Sequence, residues 1–345
     1  MSTATARRLD RRVYLRSHPV LFALLCATRR RPVLRLGRTV LVHDPEVYRE
    51  VLTRVPLDRT AEGTTGGAAA GLTDGGLLFD QDGEAHRAAR RALAERLGSH
   101  GVQRLRPVWQ QVLEHRLADL TGPLDLVPVV RELAGATAAA LTGSTAAPTV
   151  LARAASEAAS AAAGDHLPSL FPRRRAGADA AASLTALLPD PLDAMVAVAA
   201  VNTTVAALPR AAAWCARAGL WPQVSPELAA ELLRLTAPSP ILPRVAAADA
   251  EVAGCPLRRG DRLVLVARHA AEAHRAVPGQ PAAAAQAVFG AGPHACPGAR
   301  LARVQLTDFL TALAPYRPAV LRARVDRHSA LPGYAALLVG TVPRG

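Results

Sequence analysis

The sequence predicts a mainly α-helical protein with small β-sheets, and its 345 residues could form one large domain or two ordinary ones. Hydrophobic residues make up 50% of the chain and aromatic residues only 3%, so the core must consist mainly of alanine, leucine and valine. Alanine abundance favours helix. Long apolar segments with helical spacing follow one another along the chain, whereas residues 33–42 and 245–266 alternate like short strands separated by glycines.

The chain is strongly basic. It carries 41 basic and 28 acidic residues, a formal net charge of +13, and all of its basic residues are arginine. A nucleic-acid partner is not predicted, because neither a zinc-finger spacing nor a basic motif interleaved with aromatic residues is present. The charge instead indicates solubility and an acidic partner.

The cysteines are far apart and form no C-x-x-C pair; they are Cys26, Cys215, Cys255 and Cys296. This spacing argues against a zinc site and provides no disulfide framework, which predicts a reducing, cytoplasmic environment. Residues 18–27 are apolar, but they are too few to span a bilayer, and Arg29–Arg31 follow where a cleavage site would lie. We expect an amphipathic helix here, with no export signal and no membrane partner.

The remaining elements follow in order along the chain. Asp44 and Pro45 begin a helix that runs to about Leu52, with Asp44 as its N-cap. Pro209 should kink or end the helix that contains it. The other predicted elements are a strand pair turning at Gly37, a loop over 61–76, helices over 83–97, 101–120, 129–142 and 191–208, a helix begun by Ser225-Pro226-Glu227, and a helix after Cys296 to about Leu313.

A glycine-rich loop, F-G-A-G-P-H-A-C-P-G, occupies residues 289–298. Glycine permits backbone angles that a β-carbon forbids, as a chain folded tightly round a large flat ligand requires. Pro297 suits the first position of the following helix, whose N-terminus favours a thiolate at Cys296. A thiolate beside apolar Phe289 suits an axial ligand of haem iron. The alternative is a buried free cysteine in a loop.

This loop resembles the haem-binding signature of cytochrome P-450. The matching positions are Phe289, Gly290, Gly292, His294, Cys296 and Gly298. The resemblance covers essentially the whole chain and implies a single cytochrome P-450-like domain over residues 1–345 that holds haem b. In that family the matching cysteine is the iron ligand, and the phenylalanine, histidine and last glycine of the loop line the cofactor.

Further motifs fall in the order that the family has. His86 and Arg90 match an H-x-x-x-R pair that holds haem propionates, and Arg244 matches another propionate arginine. Taken alone, the pair His86 and Arg90 is typical of a solvated helix face. Glu231 and Arg234 form an E-x-x-R that the resemblance makes structural rather than catalytic.

Other segments depart from the family pattern. Residues 145–190 are few for the helices that roof the substrate pocket, so we expect a reduced roof. In the central helix, Thr203 matches the threonine that handles dioxygen, but Asn202 replaces a carboxylate and Ala200 a glycine. An amide cannot relay a proton as a carboxylate does. Alternatively, these polar side chains only bond to carbonyls of their own helix. Arg268 retains the centre of an N-R-D motif, and Arg275 is the substitute for the arginine that closes the Glu/Arg set.

The resemblance implies a haem-thiolate oxidoreductase, a monooxygenase that oxidises or couples a small-molecule, secondary-metabolite substrate, free or tethered to a carrier. Thr203 and Asn202 are its candidate catalytic residues. An acidic ferredoxin is the expected electron donor, docking on Arg87, Arg91, Arg300 and Arg303, although a solvated basic surface explains these arginines equally well. The competing hypothesis is a helper subunit that has lost catalysis and stabilises a partner enzyme; the retained cysteine and propionate set argue against it.

Overall fold

The structure is a computed structural model that describes residues 2–64, 67, 81, 83–118, 120, 122–166 and 174–341. The chain forms two compact units. Unit 1 comprises Met1–His18, Leu93–Leu233 and Gly298–Gly345, and unit 2 comprises Pro19–Ala92 and Arg234–Pro297. The expectation of a single domain over 1–345 stays a prediction, and most of the predicted loop at 61–76 lies outside the described residues.

The described architecture is helical with small sheets, as predicted. The helices are α1 (Thr3–Ser17), α2 (Pro19–Thr28), α3 (Pro45–Arg54), α4 (Gly83–Leu97), α5 (Ser99–Leu117), α6 (Leu126–Thr142), α7 (Pro148–His166), α8 (Arg174–Leu187), α9 (Pro191–Ala218), α10 (Pro226–Thr236), α11 (Ala267–Ala270), α12 (Pro281–Phe289) and α13 (Ala299–Leu313). The strands are β1 (Val33–Leu36), β2 (Thr39–Val42), β3 (Leu57–Asp58), β4 (Leu124–Asp125), β5 (Leu242–Ala246), β6 (Ala250–Val252), β7 (Cys255–Leu257), β8 (Arg262–Leu265), β9 (Ala319–Val325) and β10 (Tyr334–Gly340).

The sheets of unit 2 confirm both predicted strand regions. Five strands lie in the order β1-β2-β8-β5-β3, with β1 antiparallel and β8 parallel to β2. Gly37 makes the predicted turn between β1 and β2 at φ +62°. Asp44 caps α3 by accepting hydrogen bonds from the main-chain N–H groups of Glu46 and Val47. The predicted helix N-cap is therefore confirmed.

The helices of unit 1 pack closely because their contact residues are small. Ala138 on α6 and Ala155 on α7 are fully buried in one apolar cluster with residues of α8 and α9. A β-carbon at Gly135 would lie 1.9 Å from the main-chain oxygen of Pro148, so only glycine permits this approach of α6 to α7. Strands β4, β10 and β9 form a separate sheet in the same unit.

The central helix α9 contradicts one half of the prediction that Pro209 kinks or ends its helix, and the kink stays a prediction. Pro209 does not end the helix, which continues to Ala218 and stops at Gly219 in the left-handed conformation. Proline within a helix costs roughly 3 kcal/mol. The turn beyond Pro209 offsets this cost because it is buried, with Trp214 only 3% exposed, and because Arg210 pairs with Asp10 of α1 at 2.8 Å.

One described helix is long and apolar enough to cross a bilayer by length and composition, and it is α9. Its residues pack against α1, α6 and α7 within unit 1. A buried core helix passes the same test of composition, so this finding is weak evidence for a membrane span.

Candidate functional site

The candidate site is built round the loop between α12 and α13. Cys296 donates a hydrogen bond from its main-chain N–H to the carbonyl oxygen of Phe289 at 2.7 Å, which closes the loop. Gly290 and Gly292 adopt φ +75° and +73°, conformations that side chains disfavour. The Cys296 residue is exposed, in contrast to Cys215, which is buried. The alternative of a buried free cysteine is therefore wrong for Cys296.

The loop packs against the C-terminal end of α3. A β-carbon at Gly292 would lie 3.2 Å from the main-chain oxygen of Leu52 and 3.3 Å from Cγ2 of Thr53. Nearby, the Tyr48 hydroxyl donates to the Ala287 carbonyl oxygen on α12 at 3.3 Å. Burial raises the pKa of Tyr48 well above its ordinary range. Helix α3 thus contacts the cysteine loop at Gly292 and the preceding helix α12 at Ala287.

Helix α4 brings two predicted residues against the same loop. His86 is buried and its ring stacks on that of His294, with 3.8 Å between centroids and 23° between planes. One turn later, Arg90 donates from Nη1 to the carbonyl oxygen of Ala295. His86, Arg90 and His294 were predicted to act together, and the fold brings them together beside Cys296.

A second cation lies on strand β5. Arg244 donates from Nη1 to the carbonyl oxygen of Pro243 at 2.7 Å. Its Nε is buried and has no hydrogen-bond partner within the part of the chain that is described. Burial, and then the charge of Arg59, lowers the pKa of Arg244 to about 10. The guanidinium groups of Arg244 and Arg59 are neighbours, and the buried Nε of Arg244 has a hydrogen to donate, so this place favours binding of an anion.

Arg59 is the residue of this region that sequence reasoning missed. It follows β3, and β3 pairs with β5 so that Leu57 lies opposite Ala246 and Asp58 opposite Val245. The only sequence signal is an arginine directly after a two-residue strand, which is too weak to single out. Its proximity to Arg244 depends on strand pairing over nearly two hundred residues.

This donor set fits a haem. The propionates of haem are carboxylates, and the unpartnered Nε of Arg244 is a buried donor that a carboxylate would satisfy. The exposed thiol of Cys296 is a sulfur ligand suited to iron. Among the described residues, no group of three or more histidine, cysteine or acidic residues is arranged to hold a metal ion directly, which is compatible with a single protein ligand to a cofactor metal.

The predicted structural arginine, Arg234, and the neighbouring Arg268 bind main-chain oxygens of the segments round α10 and α11. Arg234 is buried and donates to four main-chain oxygens, those of Ala271, Glu272, Arg275 and Ala276, at 2.7–3.4 Å. Arg268 is also buried and donates to the oxygens of Leu235 and Thr236. Arg234 therefore ties α10 to the segment after α11. Glu231 lies one turn before Arg234 on α10, and the expectation that the two pair stays a prediction.

Arg275 forms an ion pair with Glu272, a residue other than the one that its predicted role requires. Its Nη1 lies 3.1 Å from Oε1 of Glu272, three residues earlier, and its side chain is 53% exposed. Arg268, the retained centre of the N-R-D pattern, is the more deeply buried of the two arginines. The role of Arg275 in closing the Glu/Arg set remains an expectation.

The candidate catalytic pair lies on α9 in unit 1. Asn202 donates from Nδ2 to the carbonyl oxygens of Val198, on its own helix, and Ala155, on α7, at 2.8 and 3.2 Å. Thr203 donates to the carbonyl oxygen of Ala199 at 2.8 Å. These bonds correspond to the alternative in which both side chains bond to carbonyls, with one addition: Asn202 also joins two helices.

The roof segment contains two described helices, α7 and α8. Residues 167–173 between them lie outside the described part of the chain. A reduced roof therefore stays a prediction.

No protein-family model matches this sequence, and no curated protein matches it. Solved structures do. P450BioI, in complex with a hexadec-9Z-enoic acid ligated acyl carrier protein, is similar over 95% of this chain and 99% of its own, with a TM-score of 0.74 at 16% identity. CalO2 matches over 96% and 98% of the two chains, with a TM-score of 0.74 at 20% identity. CYP109E1 from Bacillus megaterium, in complex with testosterone, matches over 95% and 99%, with a TM-score of 0.74 at 18% identity.

Proposed function

We propose, from the premise that this chain has the cytochrome P-450 fold, that it is a haem-thiolate monooxygenase or oxidase acting on a small molecule. The observation that carries the proposal is the immediate surrounding of Cys296. Cys296 is exposed and lies in a glycine-rich loop. Of the two residues before it, Ala295 accepts a hydrogen bond from Arg90 and His294 stacks on His86. A cysteine that only fills space in the core would be buried and would not require these contacts on the two residues before it.

The chain would hold haem b through one sulfur and several cations. Cys296 would be the iron ligand, and Arg244, Arg59, Arg90 and His86 would provide donors for the propionates. Phe289, His294 and Gly298 complete the cofactor-binding set that the sequence predicts. When bound, a thiolate-ligated haem supplies the activation of dioxygen that the protein residues cannot supply by themselves.

The residues of α9 have more limited roles in this proposal. Thr203 carries a hydroxyl that can leave the Ala199 oxygen for another partner, since hydroxyl groups reorient readily. Asn202 lacks an accessible pKa, and its amide hydrogens are already donated to two carbonyl oxygens. We therefore assign proton transfer to Thr203 with solvent or substrate, and positioning of α9 on α7 to Asn202.

The substrate class is proposed from the fold comparison. P450BioI was solved with an acyl chain attached to an acyl carrier protein, so this fold accommodates a carrier-tethered substrate. A chain with a net charge of +13 also attracts an acidic carrier. We propose a carrier-tethered, apolar acyl or peptidyl substrate of secondary metabolism, oxidised or coupled while attached.

Reduction requires an electron donor, and we propose an acidic ferredoxin. Arg87 and Arg91 are exposed one turn apart on α4, the helix that also carries His86 and Arg90. An ionic docking site is weakened by salt. If the reduction rate does not change with ionic strength or with Arg91→Glu, the arginines are a solvated surface and the docking proposal is wrong.

The reduced carbon-monoxide difference spectrum tests the central proposal. Wild-type protein should give the Soret band of thiolate-ligated haem, and Cys296→Ser should lose it. Cys255→Ser is the matched control, because Cys255 is a partly exposed cysteine on β7, and it should retain the band. Wild-type protein that binds no haem when expressed with excess haem would contradict the proposal and favour the helper subunit.

The carrier proposal has its own test. Addition of an acyl carrier protein loaded with a long-chain acyl group should shift the Soret band of the haem-bound protein, and the free fatty acid should do so more weakly. Equal shifts with the loaded carrier and the free acid would contradict carrier recognition while leaving the haem assignment intact.

A further inference from the structure

Helix α2 is apolar on both of its faces. Phe22 and Leu25 are buried, 2% and 0% exposed. The opposite face is open to solvent, with Val20 84% and Leu24 44% exposed and Ala23 and Ala27 also exposed. These four positions are spaced i, i+3, i+4 and i+7, so they form one continuous stripe along the helix.

A cluster of cations adjoins this stripe. Arg29, Arg30 and Arg31 directly follow α2 and are all exposed. Within the described chain none of them forms an ion pair, whereas Arg35 and Arg38 pair with the buried carboxylate of Asp261. Residues 11–43 contain eight arginines and no acidic residue. The three arginines are therefore available to an external anion.

The end of α2 is rigidly attached to unit 2. The Thr28 hydroxyl lies 3.0 Å from Nε2 of His43, and Nδ1 of His43 lies 2.9 Å from Nδ1 of His269. The same segment continues to Val277, which is 77% exposed. Burial, and then the charge of Arg29, lowers the pKa of His274 to about 4, which places the arginine near His274.

We propose that the α2 surface, defined as Val20, Ala23, Leu24, Ala27, Arg29, Arg30 and Arg31, binds the anionic face of a lipid bilayer. The apolar stripe would lie in the interface and the arginines would contact lipid phosphates. An exposed apolar stripe followed by three exposed arginines, in a segment without acidic residues, is the combination that an anionic bilayer surface attracts. This peripheral binding revises the prediction that the chain has no membrane partner, and it is independent of haem.

Sedimentation with lipid vesicles tests the proposal on the full chain. Wild-type protein should bind vesicles of mixed phosphatidylcholine and phosphatidylglycerol but not phosphatidylcholine alone. Each arginine near an anionic surface contributes about 1 kcal/mol, so Arg30→Glu with Arg31→Glu should weaken binding at least about thirtyfold. Val20→Asp with Leu24→Asp should weaken it about tenfold through loss of the apolar contact.

Matched controls separate this surface from the general charge of the protein. Arg322→Glu with Arg324→Glu reverses two exposed arginines on β9, and Val150→Asp with Leu321→Asp replaces two apolar residues that are 38% and 51% exposed on unit 1. Both controls should bind within about twofold of wild type. The proposal is overturned if wild-type protein ignores the anionic vesicles, if it binds only an acidic protein, or if the controls lose as much binding as the α2 variants. Circular dichroism of each variant verifies that it is folded.

Discussion

Arg90 donates a hydrogen bond from Nη1 to the main-chain carbonyl oxygen of Ala295, the residue that precedes Cys296. The bond joins α4 to the cysteine loop over 205 residues of sequence. Because a guanidinium has several donors in one plane, Arg90 can hold the loop and still offer a donor to a cofactor carboxylate. The position of the thiol therefore depends on a side chain from a distant part of the chain.

We expect Arg90→Ala to weaken haem retention about tenfold or more, since hydrogen bonds of a charged donor contribute about 1.5–3 kcal/mol. Haem content and the reduced carbon-monoxide spectrum measure this. Arg87→Ala, an exposed arginine on the same helix, is the control and should retain haem. Equal haem content in both variants would contradict the role given to Arg90.

Asn202→Asp should lower the free energy of unfolding by about 1–3 kcal/mol. Both oxygens that Asn202 contacts are carbonyl acceptors, and a carboxylate has no hydrogen to donate to them. Asn202→Ala removes the same bonds without adding a charge, so the order of stability in urea unfolding should be wild type, Asn202→Ala, Asn202→Asp. An aspartate variant as stable as wild type would show that the amide does not join α9 to α7.

The buried ion pair between Asp10 and Arg210 should be sensitive to removal of one partner. The two side chains are 4% and 1% exposed and lie 2.8 Å apart. Arg210→Met should lower stability by about 3–5 kcal/mol because it leaves the carboxylate buried and unpaired. The double variant Asp10→Leu with Arg210→Met should recover most of that loss.

A partly exposed pair is the control for this experiment. Glu132 lies 3.6 Å from Arg116, and their side chains are 28% and 37% exposed. Glu132→Gln should change the free energy of unfolding by less than about 1 kcal/mol. A loss as large as that of Arg210→Met would indicate that burial is not the reason for the sensitivity of the Asp10 pair.

Stability should fall with acid because His43 and His269 are buried in the folded chain. Burial lowers the pKa of His43 from 6.5 to about 4, and burial with the charge of His43 lowers that of His269 to about 2. Below pH 6.5 these histidines bind protons in the unfolded chain but not in the folded chain. Their contribution to the free energy of unfolding is therefore complete above pH 6.5 and is lost as the pH falls toward 4. For His43 alone the loss between pH 7.5 and 5 is about 2 kcal/mol.

Urea unfolding at the two pH values measures this loss. His43→Asn should reduce the difference, because an asparagine does not titrate in this range. His328→Asn is the control, since His328 is exposed, and it should leave the pH dependence as in wild type. A wild-type stability that is flat between pH 7.5 and 5 would contradict the prediction.

Local chemistry allowed much of the fold to be predicted. The apolar spacing of α4, the cap at Asp44 and the turn at Gly37 each depend on residues within one or two turns of the chain. Pro209 shows the limit of such reasoning. Its local preference is to stop a helix, but burial of Trp214 and the pairing of Arg210 with Asp10 outweigh that preference.

The sequence by itself determined the helical class of this protein, the positions of its strands and the candidate thiolate at Cys296, because glycine, proline and capping residues act on their immediate neighbours. Tertiary structure alone decided which distant side chains come together. The approach of Arg59 to Arg244 and the stacking of His86 on His294 arise from strand pairing and helix packing across long separations. The same packing left one face of α2 uncovered, and no spacing rule distinguishes an apolar face that will be buried from one that will remain exposed.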